Sequence, residues 1–114
     1  MKRSLKDLRQ WKAYLKGVAM TLVTEDNIMD AGKHFVQCQE WSIKRNEGFW
    51  RTDGGALELL MALMQNAKNR KQAKQIEYFL DEFFPPMDVS WHGHYRPLGN
   101  ALMDMCIRCE KQQV

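Results

Sequence analysis

An all-α fold is expected from three observations. Apolar residues recur at three- and four-residue steps, no stretch alternates as a half-buried strand would, and Gly, Pro and polar breaks cut the pattern into five runs. The 114 residues are the size of one domain, so a single helical domain over 1–114 is expected. With 45% hydrophobic and 27% charged residues the composition is that of a globular protein, which excludes a disordered tail or a collagen-like repeat. The expected helices cover approximately 4–23, 25–46, 54–67, 70–84 and 97–111.

Ser4 can cap the first helix, whose stripe is Leu5, Leu8, Trp11, Leu15, Val18 and Leu22. Lys2, Lys6, Arg9, Lys12 and Lys16 fall on the opposite arc, so this helix is amphipathic with a basic back. Thr24 followed by Glu25 and Asp26 reads as the next start, a cap followed by acids that favour a helix N-terminus. Ile28, Ala31, Phe35, Cys38 and Ser42 line one side, broadened by Val36, Trp41 and Ile43, so this helix is expected at the centre of the bundle. Asn46-Glu47-Gly48 stops it.

Thr52 or Asp53 caps a third helix with Leu57, Leu60, Met61 and Met64 on its face. The next apolar set, Ala73, Ile76, Leu80 and Phe83, is out of register with it, which places a break between Asn66 and Arg70. Pro85-Pro86 ends the fourth helix. Met87 to Arg96 has no helical period and reads as a loop, and Pro97 suits the first turn of a last helix buried along Leu98, Ala101, Leu102, Met105 and Cys109.

The net charge of +3 is small, but its distribution is uneven. Residues 1–23 carry six bases against Asp7, and 68–75 carry Lys68, Arg70, Lys71 and Lys74 with no acid, whereas 76–90 hold four acids and no base. Lys71 and Lys74 open the fourth helix while Asp81 and Glu82 close it, the reverse of what the helix dipole favours. Three cysteines are too few for a stapled secreted fold, no run reaches the roughly 20 apolar residues that cross a bilayer, and the basic start lacks the apolar core of a leader. A cytoplasmic protein with no membrane partner is expected; the sequence does not indicate an oligomeric state.

Among candidate chemistries, His34 and Cys38 are spaced i, i+4, and Cys106 and Cys109 are spaced C-x-x-C, a set able to form a Cys3His metal site if the two helices met. Both cysteines of the last helix lie on or beside its apolar stripe, so the expected role is core packing, with no cofactor. His92 and His94 lack the Glu of a zinc-deaminase pattern, and no G-x-S-x-G, H-E-x-x-H or Walker loop is present. Asp53-Gly54-Gly55 reads as a turn leading into a helix, with an anion seat as the alternative. No catalytic constellation is left, and a non-enzymatic protein is expected.

The expected function is docking onto a partner protein through a basic and aromatic surface, with phosphates of a nucleoprotein complex as a further target of the cations. The contact residues are Lys2, Lys6, Arg9, Lys12, Lys16, Lys68, Arg70, Lys71 and Lys74, with Trp50, Arg51 and Trp91 as anchors, while Trp11 and Trp41 are expected in the core. One alternative is a DNA-binding transcriptional regulator in which helices three and four form a helix-turn-helix, offering Lys71, Gln72, Lys74 and Gln75 to base edges. Another is a small phage- or plasmid-type inhibitor that occupies a host protein's site.

Overall fold

Among the described residues the fold has five α-helices: α1 Leu5–Thr24, α2 Ala31–Asn46, α3 Ala56–Asn66, α4 Arg70–Phe83 and α5 Arg96–Lys111, with a 3-10 turn at Ile28–Asp30. The computed structural model describes residues 5–46, 54–83 and 96–111, with side chains over 7–41, 54–83 and 96–110. Among these residues there is no strand, and the fold is all-α. The break expected between Asn66 and Arg70 is present.

The boundary between the first two helices differs from expectation. Thr24 closes α1 instead of capping α2, and Asp26 turns the chain with φ 53°. The Asp26 N–H donates to the Val23 carbonyl at 3.1 Å and the Asn27 N–H to the Leu22 carbonyl at 2.8 Å. These two bonds are a Schellman stop, with Asp26 in the left-handed position that Asp tolerates better than most residues. The acids that suggested a helix start therefore lie at a helix end, and the 3-10 turn leads into α2.

Nor is α2 the central helix. Val36, expected to widen its buried face, is 47% exposed. The centre is α3, where Ala56, Leu59, Leu60, Ala62, Leu63 and Met64 are all buried and which packs most extensively on α1 and then on α5. Glu58 is the only charged residue in this helix, so it can be surrounded almost fully. One apolar cluster runs through all five helices, and Phe35 of α2 stacks on Phe79 and Phe83 of α4, each with centroids 5.1 Å apart. On α5 the centre of the stripe is Leu98, Met105 and Cys109, with Leu102 only partly buried at its flank.

Polar groups lock the helix ends together. Asn69 caps α4, its Oδ1 accepting from the Gln72 N–H at 2.9 Å. The Gln72 side chain, 2% exposed, accepts from the Lys68 N–H at 2.8 Å and donates to the Val23 carbonyl and to Asp26 Oδ1, both at 3.1 Å. Lys71 reaches the other Asp26 oxygen at 3.1 Å. The hydrogen bond from Gln72 and then the Lys71 charge hold the Asp26 carboxyl below its ordinary range. Asp26 thus supplies the negative charge that the N-terminus of α4 lacks in its own sequence. Across the bundle, Arg108 of α5 donates to the carbonyls of Met64 at 2.6 Å and Ala67 at 3.0 Å, so a cation satisfies the C-terminus of α3.

Gln72→Ala leaves the Lys68 N–H without its partner and takes one of two donors from the Val23 carbonyl, and about 1–3 kcal/mol of stability should be lost. A urea midpoint equal to wild type would show that water replaces the amide at no cost.

Candidate functional site

The basic back of α1 is only partly available. Lys12 is drawn to Glu58 of α3, with Nζ 3.0 Å from Oε1, so it serves the core boundary and is not a free contact residue. Arg9 and Lys16 are exposed and have no acidic partner among the described residues. Their seven-residue spacing, two helical turns, places them on one strip of α1. Met20, 57% exposed, continues that strip one turn beyond Lys16. Lys2 and the side chain of Lys6 lie outside the described residues.

A groove of about 370 Å³ lies beside the Lys16 and Met20 end of the strip where α1 meets α3, bordered also by Glu58, Met61 and Gln65. Two flexible thioether side chains beside a cation make an adaptable, amphipathic wall. Around the helix from the strip, Tyr14 is 54% exposed. It forms the outer end of an aromatic column, stacked on Trp11 at 5.5 Å, which stacks on Trp41 at 5.6 Å. Trp41 is buried and Trp11 is half-buried, its Nε1 donating to the Gly54 carbonyl at 2.8 Å. The interior expected for both tryptophans is found for Trp41, while Trp11 packs partly buried against the core and Tyr14 reaches solvent from this column.

The second basic cluster does not stand as a block. Lys71 is held by Asp26, while Arg70 and Lys74 border a small groove shared with Glu77, Cys106 and Glu110. Lys68 is exposed. Gln72, expected at the front of a recognition helix, is buried and fully engaged, and Gln75 is half-buried with its Oε1 covered. A base-reading helix must present these first turns outward, and α4 does not present Gln72. Trp50, Arg51 and Trp91 lie outside the described residues, as do His92 and His94.

The set His34, Cys38, Cys106 and Cys109 is not assembled, and among the described residues no three His, Cys, Asp or Glu side chains gather around a common point for a metal. Burial, with Glu58 beside it, pushes the Cys38 thiol up to about 12, so at neutral pH it is an uncharged apolar group. Cys109 is buried with its Sγ 3.7 Å from the Ala67 carbonyl. The Cys106 thiol is also raised, by burial and then by Glu77, Glu110 and Cys109. The anion seat at Gly54-Gly55 is closed, since both glycines are buried and Gly55 lies against Leu15 and Trp11 of α1.

Reading the sequence missed Arg108 and Tyr14, and it offered Gln72 only as a base-reading residue and not as the buried strut it is. The Asn69-x-x-Gln72 spacing is a capping pattern visible in sequence, although here the glutamine reaches the residue before the cap. Arg108 and Tyr14 carry no comparable signal, because each acts through a partner distant in sequence. No helix among the described residues is long and apolar enough to cross a membrane. Comparison with protein-family models, with curated proteins and with solved structures found no match.

Proposed function

We propose that this protein is a non-enzymatic helical binding module that docks onto an acidic face of a partner protein through the outer side of α1. The observation that carries this reading is the strip Arg9, Lys16 and Met20, two cations without acidic partners and an exposed thioether on one side of a helix anchored by its other side. Leu8, Leu15 and Leu22 anchor that other side in the core, so the strip is presented at a fixed orientation. Like charges held together repel, and an acidic surface relieves that repulsion while burying Met20 and the methylene stems of the cations. Cations also speed encounter with such a surface.

Arg9→Glu with Lys16→Glu tests this reading. The double variant should keep wild-type helicity and melting temperature and should lose a nuclease-resistant partner recovered by wild type from lysate. Recovery that is equal for both proteins would remove the strip from consideration. Recovery that nuclease abolishes would point instead to phosphates as the target, with binding falling by about 0.9 in log K per log unit of salt for each phosphate contact on duplex DNA.

A further inference from the structure

On the side of α1 away from the strip, a second groove of about 550 Å³ runs between α1 and the start of α2. Its wall includes Tyr14, Gly17, Val18, Glu25, Asp30 and His34. Three features distinguish it from an ordinary crevice. First, His34 is 8% exposed and its Nδ1 is buried with no hydrogen-bond partner. A buried polar nitrogen left unpaired is costly, so a hydrogen-bonding ligand gains from meeting it. Second, the lining contains two carboxylates and no Lys or Arg, on a chain whose net charge is +3. Asp30 shares its charge with Lys33 at 3.1 Å, whereas Glu25 has no basic partner among the described residues. Third, Gly17 leaves the wall open, since a Cβ built there meets nothing within 4 Å.

We propose that this groove is a binding site for a small arylalkyl ammonium ion. The carboxylates of Glu25 and Asp30 supply the charge, and the end of α1 beside Glu25 adds the negative pole of the helix dipole. The exposed part of the Tyr14 ring offers an aromatic surface to the cation, and Val18 with the open Gly17 position accommodates the apolar body. Burial, and next the Lys33 charge, keep His34 toward its neutral form, in spite of the opposing Gln37 hydrogen bond and Asp30 charge. A neutral imidazole has one nitrogen free to accept an ammonium N–H. Tyr14 meets the His34 ring edge-on at 6.2 Å, so the two rings border the same part of the groove.

Titration with phenethylammonium, followed by amide and imidazole NMR, tests the site. Saturable shifts at Gly17, Thr21 and His34 are expected, with a Kd of about 1 mM. Phenylacetate, of similar size and opposite charge, should leave those signals unmoved. Gly17→Leu fills the groove from a position where the helix accepts a side chain, and His34→Phe keeps a ring but removes the nitrogen. Both should weaken binding at least roughly tenfold, the first without loss of melting temperature. The Arg9→Glu, Lys16→Glu double variant should bind phenethylammonium as wild type does, so failure of this site and failure of the docking strip are separately visible. Equal binding of phenylacetate, undiminished binding by a folded Gly17→Leu protein, or no saturable shift up to about 10 mM would overturn the proposal.

Discussion

Replacing Gly55 by alanine should lower stability by about 2–5 kcal/mol. Gly55 precedes α3 with φ 96°, a left-handed conformation that costs a residue with a Cβ about 1–2 kcal/mol. The added atom would also lie 2.8 Å from Leu15 Cδ1 and 3.4 Å from the Trp11 ring. Leu15 has no exposed surface, so relieving the clash moves its side chain against packed neighbours or shifts α1 away from α3. Overpacking of this kind typically adds about 1–3 kcal/mol. The Trp11 hydrogen bond to Gly54 would be strained by the same shift. Gly17→Ala is the internal control. Its Cβ meets open space within a helix, and it should stabilise the protein by up to about 1 kcal/mol. Urea midpoints for the two variants should therefore move in opposite directions. A shared direction would show that the close approach of α3 to α1 at Gly55 is wrong.

Leu60→Ala should cost about 2–5 kcal/mol, while Leu102→Ala should cost distinctly less. The sequence pattern treats the two leucines as equivalent, each at the centre of a helical stripe. In the fold Leu60 has no exposed surface and sits on the helix that every other helix surrounds, whereas Leu102 is at the edge of the core. Truncating Leu60 leaves a cavity closed by neighbours on several helices, and truncating Leu102 opens a space that solvent can enter. Denaturant unfolding of both variants with unchanged slope measures the difference. Equal costs would mean that the phase of α5 against α3 is different from that described.

The helical class and most element positions were legible because a helix announces itself locally. Leu8, Leu15 and Leu22 repeat at whole turns, and the phase conflict between Met64 and Ala73 marks the break that lies between α3 and α4. The misplaced start of α2 shows where local reading fails. Thr24, Glu25 and Asp26 are equally good as a cap with acids and as a helix end with a left-handed Asp. What decides between them is the N-terminus of α4, some 45 residues further on, which takes the Asp26 carboxylate through Gln72 and Lys71. The basic residues divide in the same way. Charge counting groups Lys12 with Arg9 and Lys16, and only the packing of α3 against α1 brings Glu58 to Lys12 and leaves the other two facing solvent.

By itself, then, the sequence determined the helical class, the apolar face of α1 and the cations opposite it, because these depend on the period of one helix. Tertiary structure alone decided that α3 and not α2 is central, that Gln72 is a buried strut, and that His34 borders a groove instead of joining a metal site. Each of those outcomes depends on which face of another helix arrives, and residues distant along the chain leave no periodic trace of their meeting.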